Sequence, residues 1–472
     1  MKTKFLSFFI VAALFLSSCT SEKQPKYIFY FIGDGFGISQ AMLAEDYLDA
    51  LAKDTATVHL EFMKMPVLGM ATTYSANSMV TCSSASGTAL SAGVKTNNGM
   101  LGVKPDTSEV ISIAKKLHDE GYNVGIISTV GLDHATPGAF YAHSAKRSDY
   151  NSIAKQLAET GYEFFGGGSL IASAKNPEIW NYVKEKGYTV SNDPKVIENH
   201  KLSDGKLYAV SSQIAGAQDI PYFIDAPKHK MHLPYFVDKM IKLFEPSEKG
   251  FFAMIEAGKI DWSSHGNDAA TTVHEVIQLD EAYKLAYEFY LRHPNETLIL
   301  MTADHETGGA AVGNHNLSYK FHGEVLKEQK VSQDKFNGIV DKLAKDNASI
   351  KDVYKAIEEN FGFNNGNPLL ALNEKDSLRI ELMYKQKFHG KNKFRSDKLK
   401  AYDLGDRATL ASVCIMIMNE KSGAGWTTGH HTGVSVPVRT IGVGSEQFNG
   451  FMNNIDIPTR MYHLTGHTGS IN

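Results

Sequence analysis

The strongest constraint on this chain is a set of apolar runs, several of which stop on a chemically active side chain. Residues 27–37 read YIFYFIGDGFG, an unbroken apolar stretch of strand length halted by a Gly-Asp-Gly turn. Asp34 is thereby placed at the carboxyl end of a strand. The pattern recurs in GFFAMIEAG, which carries Glu256, and in TLILMTADH, which ends on Asp304 and His305. YNVGIIST supplies another strand and VSVPVRTIGVG a last one. Helical periods lie between them. SEVISIAKKLHDEG puts Val110, Ile113, Ala114 and Leu117 on one face, with Asp106 and Glu109 as a capping box and Gly121 as the stop. YNSIAKQLAETG reads as a second helix, and Val273, Val276, Leu279, Tyr283, Ala286 and Tyr290 mark a long third one. Strands alternating with helices predict an α/β fold, a mostly parallel central sheet flanked by helices. Ligands of such sheets gather beyond the strand carboxyl ends, where Asp34, Glu256, Asp304 and His305 fall.

The remaining chain divides by texture. Lys2 and Lys4 precede an apolar run from Phe5 to Leu16 that is too short to span a bilayer, followed by LSSC. Residues 1–18 therefore resemble a bacterial lipoprotein signal, with Cys19 left as a lipid-modified first residue. The protein is expected to be exported to the periplasm or cell surface and anchored to a membrane through Cys19. Residues 19–26 form a polar linker, and 27–472 one large domain. Residues 312–405 lack strand-helix alternation and read as a largely helical insertion, for example SIKDVYKAIEENFG with Ser349 and Asp352 as its cap. RATLASVCIMIMNEKSGAG is a buried helix returning to the core. Cys82 and Cys414 are expected to be buried free thiols. With 48 Lys and Arg against 52 Asp and Glu, the net charge of -4 indicates no nucleic-acid partner, so any anion recognition must be local.

The chemistry lies in short segments. EAGKIDWSSH holds Asp261 and His265 four apart, on one face if the segment is helical. TADHETGG sets Asp304 beside His305, and GHHTG offers His430 and His431. Mixed His and Asp donors suit zinc or another late divalent ion, whereas an oxygen-only set built on Asp34, Glu256 and a threonine suits magnesium. MVTCSSASGTALSAG, residues 79–93, is rich in hydroxyls yet carries no charge and no histidine, so nothing within it removes a serine proton.

In their order and spacing, IGDGFG, VTCSSASGTALSAGVKTNNG, HATPGAFYAHSAKR, IEAGKIDWSSH, TADHETGG and HHTG resemble the alkaline phosphatase family. The likeness runs from Tyr27 to about Val438 apart from the insertion. It implies hydrolysis of small phosphomonoesters through a phosphoserine on Ser83, with Arg147 gripping phosphate. It also implies one zinc on Asp261, His265 and His431, a second on Asp34, Asp304 and His305, and magnesium on Asp34, Thr136 and Glu256. A homodimer is implied as well. Zinc lowers the pKa of bound water to about 7 and an alkoxide should benefit similarly, so Ser83 needs no histidine base.

Three residues depart from the family pattern. Cys82 precedes the nucleophile where an aspartate is usual, which leaves Arg147 without that brace. His134 stands where some bacterial members have aspartate, which weakens a magnesium site. Trp262 follows Asp261 where other members carry lysine or histidine near phosphate and some carry tryptophan, and it offers an indole N–H but no charge. His143, His274 and His430 are assigned to hydrogen bonding or solvent, and Glu306 to bracing its turn. A sulfatase would need Cys-x-Pro-x-Arg, which CSSAS after Val80 and Thr81 does not supply. A phosphodiesterase of the same superfamily and an inactive metal-binding lipoprotein are the remaining alternatives.

Overall fold

The computed structural model describes residues 24–52, 59–389, 401–405 and 407–472. The signal segment and Cys19 lie outside the described residues. Strands β1 (Tyr27–Gly33), β2 (Val67–Thr72), β3 (Asn123–Ser128), β4 (Phe164–Gly167), β5 (Tyr188–Ser191), β6 (Lys206–Val210), β7 (Phe251–Ala257) and β8 (Thr297–Ala303) come first in the chain. Four two-residue pieces follow, β9 (Glu306–Thr307), β10 (Ala311–Val312), β11 (Ala424–Gly425) and β12 (His431–Thr432), and then β13 (Val436–Gly442) and β14 (Gly450–Asn453). One ten-stranded sheet has the order β14-β2-β13-β8-β1-β7-β3-β4-β6-β5. β13 alone runs against the rest.

β1 sits between β7 and β8, paired parallel to both, and every one of its residues is buried. A strand covered on both faces needs no polar alternation, which is why YIFYFIG reads as a solid apolar block. Each such side chain contributes about 1.5–3 kcal/mol by leaving water. The register sets Gly33 beside Ala257 and Ala303, so the chain segments that follow β1, β7 and β8 emerge together at one edge of the sheet.

Helices cover the sheet where the periodicities place them. Tyr150–Glu159 is capped by Asp149, and Ala269–Arg292 by Asp268. Ile350–Phe361 opens on a Ser349/Asp352 capping box and closes on Gly362 in the left-handed region. One boundary differs from expectation. The helix expected from Asp106 starts only at Ile113, capped by Ser112, because Asp106 accepts instead from the N–H and hydroxyl of Ser108, and Glu109 is bridged to Val103. A short polar side chain that can bond its own turn competes with the cap it was expected to make.

Among the described residues between β10 and β11 there is no strand. The helices Gln333–Lys345, Ile350–Phe361 and Glu374–Phe388 each pack on the helix Leu410–Ser422. Cys414 is buried as expected, but Cys82 is only half-buried; both thiols are free. Among the described residues no helix is long and apolar enough to cross a membrane.

Candidate metal and phosphate site

The site forms where β1, β7 and β8 end. Asp34 follows β1, and its N–H donates to the carbonyl of Ala257. Gly35 adopts φ +71° and packs so tightly that an added Cβ would lie 2.7 Å from Cα of Asp261. Glycine thus allows the Asp34 turn to lie directly on the segment that carries the next ligand. That segment is the helix Lys259–His265, which aims Asp261 and His265 together: His265 Nε2 is 3.3 Å from Asp261 Oδ2.

His431 arrives from the far end of the chain. β12 pairs antiparallel with β9, setting His431 opposite Thr307, and its Nε2 lies 3.5 Å from Asp261 Oδ1 and 3.2 Å from His265 Nε2. Nδ1 of His265 faces the carbonyl of Gly429 at 2.8 Å, and Nδ1 of His431 that of Thr81 at 2.8 Å. A carbonyl only accepts, so each Nδ1 carries a proton, and in its neutral form each ring turns a lone pair inward. The Asp261 carboxylate raises the His265 pKa by bonding a proton on Nε2; with both rings neutral, two lone pairs and a carboxylate within 3.5 Å have no proton to share. A cation satisfies all three.

A second pocket adjoins the first. His305 Nε2 lies 3.1 Å from Asp304 Oδ2, 3.5 Å from Asp34 Oδ1 and 3.3 Å from Ser83 Oγ. Its Nδ1 is 3.3 Å from the hydroxyl of Thr307, which donates its own proton to Asp261. His305 and His431 stack at 3.6 Å between ring centroids, so the two pockets share a wall. Asp34, Asp304 and His305 are fully buried, and neither carboxylate oxygen of Asp34 has a hydrogen-bond partner. Such an anion is costly to bury unless a cation accompanies it. Among the described residues, Asp34, Asp304 and His305 form one group able to hold a metal and Asp261, His305 and His431 another.

Electrostatics agree with the donor chemistry. Burial raises the Asp34 carboxyl well above its ordinary range, and Asp304, Asp261 and Glu256 raise it further. Burial also pushes Glu256 up to about 8, against a bond from the Ser128 hydroxyl. Asp261 moves the other way. Burial opposes its charge, but the bond to His265 and the imidazoles of His305, His265 and His431 hold it well below the usual carboxylate range. Thr136, on the short helix Ala135–Gly138, and Glu256 each keep a buried side-chain oxygen without a hydrogen-bond partner. With Asp34 they present oxygen donors only.

Ser83 is the first residue of the helix Ser83–Ala92 and is 3% exposed. Arg147, half-buried, makes no ion pair among the described residues, and its Nη2 donates to His134 Nε2 at 3.3 Å. Burial and the Arg147 charge depress His134 to about 3, so it stays neutral. Trp262 meets the His134 ring edge-on at 5.8 Å. Cys82 Sγ accepts from the N–H of Gly99 at 3.1 Å; burial works against its thiolate, but this bond, those of Ser84 and Ala85 and the nearby Arg147 lower its pKa overall. His143 and His274 bond the carbonyls of Gly102 and Ala270, and His430 is exposed. Glu306 accepts from Gln40, Gly309, Ala310 and Thr432, bracing its turn.

Two contributors escape a reading by motif. Thr307 relays between His305 and Asp261, a role created by the approach of a helix 46 residues earlier in the chain. Lys259, 2% exposed, bonds Asp219 and the carbonyl of Ile220 and lies 3.6 Å from the Tyr222 ring. It secures the first turn of the helix that carries Asp261 and His265.

Known proteins share this arrangement of chain. A family sequence model described as "Alkaline phosphatase" matches residues 25–165 and 167–466. Alkaline phosphatase 3 of Bacillus subtilis is 28% identical over 464 residues, covering 96% of this chain and 91% of that protein. Alkaline phosphatase of Escherichia coli is 29% identical over 343 residues, covering 61% and 72%. The cold-active alkaline phosphatase of a psychrophilic Shewanella superposes with a TM-score of 0.77 at 25% identity, covering 93% of this chain and 99% of that one. The chain belongs to the alkaline phosphatase family.

Proposed function

We propose that this protein hydrolyses phosphomonoesters through a phosphoserine formed on Ser83. Metal-dependent phosphomonoester hydrolysis follows from family membership; the residue roles are our reading. The observation that carries it is Ser83 Oγ, 3.3 Å from His305 Nε2, at the mouth of a pocket whose other donors are buried carboxylates. Zinc in the two His/Asp pockets would make a hydroxyl or a water acidic near neutrality and neutralise the entering and leaving oxygens. Asp34, Thr136 and Glu256 would hold magnesium, which prefers oxygen donors.

The chain's own groups then have distinct tasks. Ser83 Oγ, having released its proton to solvent, attacks phosphorus while the bond to the alcohol oxygen breaks on the side of Asp261, His265 and His431. The departing alkoxide takes a proton from water. A water entering from that vacated side attacks the phosphoserine, breaks the Ser83 ester and releases inorganic phosphate. Arg147 has no carboxylate ion pair among the described residues and offers its planar fork to two non-bridging oxygens. The N-terminal N–H groups of the helix Ser83–Ala92 add to the anion's binding. His134, neutral and bonded to Arg147, and Trp262 behind it line the substrate's flank, as Cys82 does on the other side.

The amino-terminal signal, lipid attachment at Cys19, residence in the periplasm or at the cell surface, and a homodimer complete this reading. The Lys2/Lys4 flank, the apolar run and LSSC support the anchor.

Ser83→Ala tests the assignment. Turnover of an aryl phosphate should fall by at least about 1000-fold while zinc content stays at the wild-type level. Acid-quenched wild-type protein should carry phosphate on the peptide containing Ser83. A variant that retains turnover removes Ser83 from the reaction.

A further inference from the structure

A cleft of about 1010 Å³ opens beside His265 and His430, between the metal pockets and the helix Leu410–Ser422. It lies on the Asp261/His265/His431 side, where the departing alcohol emerges. Its volume is at the upper end of what small-molecule sites occupy. Trp426 and Met416 give it apolar walls.

Its charges are unequal in their freedom. Among the described residues two acidic ones line it, Asp403 and Glu420, and both are already engaged. Asp403 Oδ2 is held by Lys375 Nζ at 2.8 Å and Arg379 Nη2 at 3.2 Å, and Glu420 Oε2 by Arg379 Nη1 at 2.8 Å. Arg379 is itself fully buried and meets both carboxylates at once, although the Asp403 side chain is 68% exposed. On the lining, Arg407 is exposed and makes no ion pair among the described residues, and His315 and His430 are exposed imidazoles with no ring hydrogen bond among them. What remains available to a ligand is one permanent cation and two rings able to donate.

We propose that this cleft is a subsite for the alcohol half of the substrate, and that it favours alcohols bearing a second anionic group, a further phosphate or a carboxylate. The inference rests on the direction of departure assigned above. A second anion reaching Arg407 meets a charge that makes no ion pair among the described residues, whereas a neutral alcohol gains only the apolar walls.

The test compares three matched substrates: an alkanediol monophosphate, the same diol as its bisphosphate, and the corresponding ω-carboxylated phosphate. In wild-type protein kcat/KM should be about fivefold higher for each doubly anionic substrate, and the preference should shrink as salt rises. The ratio of the two arms tells phosphate from carboxylate. Arg407→Gln should abolish the preference and leave turnover of the monophosphate unchanged. A calorimetric titration with the non-hydrolysable bisphosphonate analogue of the bisphosphate reads binding without turnover whichever residue attacks phosphorus, so the subsite is judged even if the catalytic assignment fails. There Arg407→Gln should weaken the bisphosphonate about fivefold. Equal kcat/KM for all three substrates, or equal preference and affinity with and without Arg407, overturns the proposal.

Discussion

Ser83 shows how position replaces reactivity at the scale of one residue. Nothing within its own segment takes its proton, and the groups that make it useful, His305, Asp304 and Asp34, come from elsewhere in the chain. The imidazoles are set as carefully. Two backbone carbonyls hold the protons of His265 and His431 on Nδ1, which settles in advance which nitrogen meets a cation. Glu256 offers a pH test. Its folded pKa of about 8 lies above the ordinary glutamate value, so between the two the folded protein holds a proton that the unfolded chain has lost. Stability contributed by that proton is complete below about 4.5 and falls as pH rises towards 8. Metal-stripped wild-type protein should therefore melt at progressively lower temperature from pH 5 to pH 9. Glu256→Gln should flatten that part of the curve, and parallel curves for the two proteins would remove Glu256 as its source.

The helix Lys259–His265 is the element on which the site turns, and it is short enough to need outside support. Lys259, bonded to Asp219 and Ile220, ties it to a loop whose Ile220 N–H also donates to Thr129 just beyond β3. Lys259→Met should leave Asp219 buried and unpaired, costing about 3–5 kcal/mol in urea denaturation. Zinc should be lost first from Asp261, His265 and His431 on dialysis against a chelator. Equal loss from both pockets would mean that Lys259 supports the fold and nothing more local. Much of this architecture was legible in the sequence. β1, β7 and β8 were readable because burial on both faces makes a strand solidly apolar, and Asp261 with His265 because a spacing of four is a helical repeat. Thr307 and Lys259 were not, since their roles arise from bonds across 46 and 40 residues that no local pattern encodes. β4, whose FFGG run is half glycine, gives little periodicity to read. The helix start at Ile113 was hidden because Asp106 serves a turn as readily as a cap.

Across the whole molecule, four buried carboxylates, Asp34, Glu256, Asp261 and Asp304, converge on one edge of the central sheet. Their mutual repulsion would make any cation bound among them part of the fold's stability as well as its chemistry. Removing metal with a chelator should lower the melting temperature by on the order of five degrees, which is what about 4 kcal/mol of linkage from tightly held ions yields in a chain of this size. Zinc added back should restore it; an unchanged melting temperature after complete removal would show that the carboxylates are neutralised by protons alone. The two adjoining pockets also fill in a fixed order along the chain, Asp34, Asp304 and His305 before His431. A polypeptide still on the ribosome and not yet extended through His431 carries every donor of one pocket and lacks a donor of its neighbour, so the pair is complete only after that residue has been added.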